Sequence, residues 1–350
     1  MVNYWVSVLT LGVVFSMATV GMNVKWGWAG ELDLAMFAYV AVGAYMYGVV
    51  VLPPSRLPPP DHYILGLQWP FLAGLAVAIV STMLVSLAVG AVALRKLRGD
   101  YFGIVTVAFA LCLSLFISQY TPLFDGYPGI YGVVQPLNGT LHLSPTAYGI
   151  FFLCLAVFFL VVTYALLELL YRSYFGRALR SVREDQTAAS AYGRNVYVLK
   201  LKAYVIGSGV AGLAGAFFIA YLSAFNPYAW SPAETFLLFG AIFIGGTANS
   251  RGVIVGAFFV FVVIQETTRL LPVIPGAAEA SDALRFVIIG LLIIAVLWLR
   301  PQGLLPEPRD RDYESTPSRT ARFREVAHGL GSSGLLGSRR GTVKAGHGDE

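Results

Sequence analysis

Charge is the scarcest resource in this sequence. Only 12% of its 350 residues are Asp, Glu, Lys or Arg, while 57% are hydrophobic. A soluble domain carries about 25% charged residues, so a surface built wholly for water is excluded. The few charges are also unevenly placed. Residues 1–24, 34–55, 62–94, 101–124, 126–167 and 203–233 contain none. A membrane span needs roughly 20 apolar residues to cross a hydrocarbon core of ~30 Å, and several of these windows hold one. A soluble helix of such length would show a polar face, and none is visible. Cysteine is nearly absent. Cys112 and Cys154 lie in separate apolar runs without ligand-like spacing and read as packing residues. The four histidines, His62, His142, His328 and His347, are scattered and make no metal site. No G-x-x-x-x-G-K-[ST], H-E-x-x-H or G-x-S-x-G occurs, which removes a phosphate cradle, a zinc hydrolase and a serine nucleophile of those kinds. Nothing argues for an enzyme or for a cofactor. The net charge of +5 comes with no basic-aromatic surface segment, so nucleic acid is not an expected partner.

What remains is an all-α polytopic membrane protein of about 8–10 transmembrane helices, with the lipid bilayer as its main partner. Apolar runs place spans near 4–23, 34–52, 70–94, 102–120, 147–171, 203–222, 235–249, 253–271 and 284–299. The first lacks a basic leader and an A-x-A cleavage site, so it reads as a retained helix rather than a signal peptide. The stretch 235–249 is short for a full crossing and reads as a tilted or broken helix. Basic residues set the orientation. Arg95, Lys96 and Arg98 follow the third span; Arg172, Arg177, Arg180, Arg183, Arg194, Lys200 and Lys202 follow the fifth; Arg300 ends the ninth. All three groups fall on one side, which is cytoplasmic, whereas 121–146 has no Lys or Arg and belongs outside. The segment 23–33, with Lys25, Glu31, Asp33 and interspersed glycines, has a second reading as a re-entrant dip, which would change the span count by one. Such backbone is tolerated only when protein or a cavity surrounds it. The permease domain is expected over 1–300. Residues 301–350 hold eight Lys/Arg, seven Asp/Glu and eight glycines but two aromatics, the composition of a disordered cytoplasmic tail.

Four segments carry candidate functional residues. The cytoplasmic loop 172–202 is too long for a simple connection. Ser181-Val182-Arg183-Glu184 has the S-x-x-E form of a capping box, and Gly193 suits the left-handed stop of a helix. Together they predict a short helix over 182–192 with a small-residue face, Ala188, Ala189 and Ala191, beside Tyr192. Two readings stand: a helix seated in a groove of a partner, or one resting on lipid headgroups. The second segment, Arg98-Gly99-Asp100-Tyr101-Phe102, is a tight charged cytoplasmic turn whose aromatics suit the interfacial belt; it is either an anchor for two spans or part of the transport path. Third, Gly207, Gly209, Gly212 and Gly215, with Gly252 and Gly256, allow close helix packing in the small-xxx-small manner. Fourth, Asp125, Glu168, Glu234, Glu266 and Arg269 are ionisable groups in or near spans. Such groups are functional candidates, but Glu266 and Arg269 are an i,i+3 pair able to neutralise itself, and no string of buried carboxylates marks a proton or sodium path.

At the charged loop the sequence meets a known family. FGRALRSVREDQTAASAYGRNVYVLKLKAYVIGSGVAGLAGAFF (175–218) resembles the signature of LivM-type permeases of branched-chain amino acid ABC transporters. LRGDYFGIVT (97–106), NVKWGWAGELDLAMFAYVAVGAY (23–45) and LRPQGLL (299–305) are similar to other segments of that family, in the same order. The resemblance implies an ABC importer permease bundle working with a homologous second permease subunit, two ATP-binding subunits and an extracytoplasmic solute-binding protein. It assigns ATPase coupling to Glu184, Asp185, Gln186, Ala188, Ala189, Tyr192, Gly193 and Asn195, which match the family's E-D-x-x-A-A-x-x-x-G-x-N pattern. Two places depart from the family. Ala110, Leu111 and Cys112 follow Phe109 where an acid is common, and the outer loop reads FDGYPGI (124–130) rather than T-G-G-x-x-G-I. Branched-chain or other hydrophobic amino acids lead as substrates, with urea, short amides and aromatic acids as alternatives. The rival of another class is a stand-alone ion-coupled secondary transporter.

Overall fold

In a computed structural model the described residues are 2–53, 66–96, 99–137, 144–227, 230, 232–270, 303–305 and isolated positions between 287 and 299. They belong to one compact unit, Met1–Glu307. Helix α1, Val2–Asn23, continues without a break into a π-helical turn, Val24–Trp28. There follow α2 (Met36–Val51), α3 (Phe71–Lys96), α4 (Gly99–Gln119), the single turn α5 (Thr121–Phe124) and α6 (Pro145–Arg172). Two short helices, α7 (Tyr174–Glu184) and α8 (Gln186–Ala191), fill the basic loop. The chain then runs through α9 (Val196–Leu222), α10 (Pro232–Gly245) and α11 (Ser250–Leu270). The sheet content of the described residues is one two-residue antiparallel pair, β1 (Ile130–Tyr131) with β2 (Ala224–Phe225).

Among the described residues five helices are long and apolar enough to cross a membrane: Val2–Trp28, Phe71–Arg95, Tyr101–Gln119, Pro145–Arg172 and Val196–Leu222; three shorter apolar helices correspond to α2, α10 and the start of α11. Burial sorts the long ones. The apolar windows of the first and last are 78% and 67% buried, those of the other three 28–33%. Helices α1 and α9 therefore form the centre, and α3, α4 and α6 turn their flanks, with Leu84, Leu115 and Leu166 exposed, toward lipid. At 1.5 Å per residue the 16 residues of α2 span only about 24 Å. That shortness is tolerated because almost every residue of α2 is buried by protein, so lipid thickness does not set its length.

Glycine makes the centre this tight. A Cβ on Gly43 would lie 2.3 Å from the Gly212 carbonyl oxygen, and one on Gly215 would lie 1.9 Å from that of Val40. Helices α2 and α9 touch backbone to backbone, which only a missing side chain permits. Gly207 faces Gly21 and Lys25, Gly209 faces Met83, and Gly252 and Gly256 meet Gly245. Every predicted packing glycine sits against another helix.

The connections separate into two ends. At one end β1 pairs with β2, Val133 donates its backbone N–H to Ser223, and residues 68–69 bond to 50–52. At the other lie the basic loop and the 246–249 turn, where the Asn23 Oδ1 accepts from the Ala248 N–H at 3.1 Å and Leu304 and Leu305 donate to Ile244 and Gly245. The 24–33 segment belongs to this basic end. It turns from α1 directly into α2 and makes no additional crossing, which corrects the re-entrant reading. Two span limits also shift. The chain turns at 246–249, where Gly246 and Ala248 both have positive φ, so 235–249 ends four residues early and the next helix begins at Ser250. The span at 284–299 and the tail at 301–350 lie outside the described residues, apart from isolated positions and 303–305.

Candidate functional site

The basic loop is where the matched residues gather. Helix α7 starts at Ser173, whose Oγ accepts from the Phe175 N–H, and ends at Glu184. Asp185 is extended (φ −152°) and its carboxylate accepts from the backbone N–H groups of Thr187 and Ala188 at 2.8 and 3.0 Å. It caps α8. The predicted single helix over 182–192 is thus two helices with the break at Asp185. Ser181 is no cap: its hydroxyl donates back to the Ala178 carbonyl at 2.8 Å, as a serine inside a helix does. The acidic cap is worth more at a helix start than the predicted serine because the dipole adds to the hydrogen bonds. Those same two N–H groups hold the Asp185 carboxyl below its ordinary value, since they stabilise the ionised form. Helix α8 stops at Gly193, with φ +76°. Asn195 then caps α9 by accepting from the Val198 N–H at 3.1 Å.

This geometry opens a groove of about 810 Å³ whose walls include Tyr174, Glu184, Ala188, Ala189, Tyr192 and Asn195. Ala189 is buried at its base and Tyr192 stands 88% exposed at its edge. Of the eight positions assigned to coupling, Gln186 alone lies outside the wall, exposed on the first turn of α8. The groove is held to the bundle by Arg183, which donates to the Gly27 carbonyl, and by Lys200, which pairs with Glu31.

The second group of charged residues stands out in the sequence only as part of the 23–33 segment, not as a pair. Lys25 donates to Asp33 at 2.6 Å, and both side chains are fully buried. The Lys25 ammonium also lies 4.2 and 4.4 Å from the ring centres of Tyr39 and Tyr204, whose hydroxyls share a 2.7 Å hydrogen bond. Asp33 additionally accepts from the Ala35 N–H at 3.0 Å. Phe109 stacks on Tyr39, and Phe102 meets Tyr204 edge to face. The signal was present as a Lys and an Asp eight residues apart between two uncharged runs. It could not be read as a pair, because the π-helical turn that brings them together has no sequence signature.

The remaining candidates are dispersed. Arg98 lies outside the described residues, as do the side chains of Asp100, Glu266 and Arg269; Gly99 opens α4. Tyr101 is exposed as a belt residue should be, but Phe102 is fully buried, because it faces Tyr204 rather than the interface. Glu168 pairs with Arg172 at 2.8 Å on the helix surface. Asp125 is a left-handed residue that ends α5, and Glu234 sits half-buried in the first turn of α10. Cys112 and Cys154 are exposed on two of the flanking helices. Among the described residues no group of His, Cys, Asp or Glu is arranged to hold a metal.

Comparison with known proteins agrees with this architecture. The chain is 29% identical over 327 residues to the high-affinity branched-chain amino acid transport system permease protein LivM of Escherichia coli K12, covering 87% of this chain and 70% of that one. It is 26% identical over 330 residues to the probable branched-chain amino acid transport permease protein LivM of Methanocaldococcus jannaschii, covering 84% and 91%. It is 23% identical over 308 residues to LivH of Escherichia coli K12, covering 86% and 94%. No solved structure matches. The family described as branched-chain amino acid transport system / permease component matches residues 4–297; with its apolar helices and its close-packed centre, the chain belongs to that family and is a multi-pass membrane permease.

Proposed function

We propose that this permease is the membrane subunit of an ATP-driven importer for branched-chain or other hydrophobic amino acids. A homologous permease lies beside it, two ATP-binding subunits grip the α7–α8 segment from the cytoplasm, and an extracytoplasmic binding protein delivers solute to the opposite end. Residues 1–300 form the permease and 301–350 a cytoplasmic tail. The observation that carries the coupling assignment is the groove: seven of the eight matched positions converge on it, at the end of the bundle that holds the basic residues and is therefore cytoplasmic by the positive-inside rule. An exposed aromatic beside a small-residue floor is the form of a docking point, since such anchors carry most interface energy. The substrate class is supported by the printed names of LivM and LivH alone; urea, short amides and aromatic acids are the alternative solutes.

In the proposed cycle, closure of the ATP-binding subunits moves α7–α8 and the helices re-pack to open inward. The chain itself hydrolyses nothing. Replacing Ala189 by Arg should abolish transport and solute-stimulated ATP hydrolysis while leaving membrane insertion intact. Tyr192→Glu is the gentler form, because that side chain supports no part of the bundle. Normal stimulated hydrolysis in both variants would refute the docking assignment. The rival reading is a stand-alone ion-coupled transporter. Its supporting observation among the described residues is the pair of buried carboxylates, Glu31 and Asp33, but these are already neutralised by Lys200 and Lys25. Transport in sealed vesicles without ATP would favour the rival.

A further inference from the structure

Two polar attachments, one from α7 and one from the start of α9, meet on one short turn. Residues 27–33 join the π-helical end of α1 to α2. The turn is closed on itself: Gly30 and Glu31 donate backbone N–H groups to the carbonyls of Trp26 and Lys25, each at 3.0 Å. Lys25 and Asp33 tie its two sides together across the interior. From outside, α7 and α9 both hold it. Arg183 donates to the Gly27 carbonyl and lays its side chain over Gly30, where a Cβ would be 3.3 Å from the Arg183 Cγ. Gly30 has φ +71°, so the turn is shaped to pass under that arginine. Lys200, one turn into α9, pairs with Glu31, and both side chains are nearly buried, at 11% and 5% exposure.

Neither attachment is needed to hold the helices together, because α9 already packs along α1 and α2 through Gly207, Gly212 and Gly215. Packed backbones slide or separate as units. An ion pair between the first turns of α9 and the 27–33 turn transmits displacement along its own axis, and a buried pair is stiff because each charge loses its compensation when the other leaves. The two grips, moreover, sit on either side of the groove: Arg183 just before Asp185, Lys200 just after Asn195. A push on the groove therefore reaches the turn through both.

We propose that the 27–33 turn is the relay through which movement of the α7–α8 segment reaches α1 and α2, with Glu31 and Lys200 as its positioning residues. This rests on the docking reading above, so the two are tested separately. In the full complex reconstituted in vesicles with its binding protein, three quantities are measured: retention of the ATP-binding subunits on purification, solute-stimulated hydrolysis, and solute imported per ATP. Glu31→Gln and Lys200→Gln should retain the subunits and the stimulated hydrolysis, but lose at least about 5-fold in solute per ATP, a typical size for coupling between sites. The exchanged pair, Glu31→Lys with Lys200→Glu, should recover most of that loss. A merely structural role would lower assembly and hydrolysis together and leave the ratio unchanged. An unchanged ratio in both single variants overturns the relay. If Tyr192→Glu releases the ATP-binding subunits while Glu31→Gln and Lys200→Gln import normally, docking stands and the relay falls. If Tyr192→Glu retains them with normal hydrolysis, docking itself is wrong. Should Glu31→Gln fail to accumulate, Lys200→Gln, nearer the surface, decides the ratio alone.

Discussion

The Lys25–Asp33 pair should behave as a coupled unit with unequal halves. Removing one member of a buried ion pair costs about 3–5 kcal/mol, because the survivor is left charged and dry. The two survivors differ here. After Asp33→Asn the ammonium still has two ring faces, at 4.2 and 4.4 Å, and a desolvated cation–π contact offsets about 2 kcal/mol. That variant should lie at or below the low end of the range. After Lys25→Met the carboxylate keeps one neutral backbone donor, the Ala35 N–H, which offsets less than two ring faces do. That variant should lie at the high end. The double variant buries no net charge and approximates the shape of the original, so it should cost less than the sum of the singles by at least about 2 kcal/mol. The assay is denaturant unfolding of the detergent-purified chain followed by tryptophan fluorescence. Trp28, fully buried with its ring centre 5.1 Å from that of Tyr171, reports this region. Additive single costs, or Asp33→Asn proving the worse of the two, would refute the reasoning.

Two further outcomes follow from the geometry. Gly215→Ala puts a methyl 1.9 Å from the Val40 carbonyl oxygen, well inside the ~3.5 Å of ordinary contact, so α2 and α9 must part at a cost of about 1–3 kcal/mol or more. Gly193→Ala meets nothing within 4 Å and leaves bundle unfolding unchanged, while its left-handed backbone strains the loop and, if the proposed docking is right, weakens capture of the proposed ATP-binding subunits; equal unfolding midpoints for the two variants would contradict this. In a background with Cys112 and Cys154 replaced by serine, Tyr131→Cys should react with an impermeant maleimide on intact cells, and Tyr192→Cys only after the membrane is opened. Labelling in the reverse order would invert the orientation and remove the coupling assignment with it.

The sequence exposed those features that depend on the solvent and on local geometry. Uncharged runs located the helices because lipid punishes charge wherever it falls, and Gly193 announced its turn because a left-handed residue favours glycine. The glycines of α9 pointed to close packing but not to their partners. That Gly212 meets Gly43 rather than Gly252 depends on which helices are neighbours, and sequence spacing on one helix carries no such information. The cap was misplaced for a related reason. Ser181 and Asp185 are both capping residues followed by amides, and the choice between them is made by the packing of Ala178, Leu179 and Val182, all buried, which extends α7 past the serine. Lys25, Glu31 and Asp33 were hardest of all. A charge beside an apolar run reads as a residue reaching for the interface, and one buried in the bundle looks the same on the page. What distinguishes them is the company they keep: Asp33 brought back to Lys25 by the turn after α1, Arg183 and Lys200 supplied by α7 and α9 more than a hundred residues later. Long-range pairing of scarce charges is therefore the property of this chain that sequence hides best. Under the relay proposal it is also the property that carries movement of the groove to the centre, because an apolar helix face can slip along its neighbour while a buried ion pair resists separation.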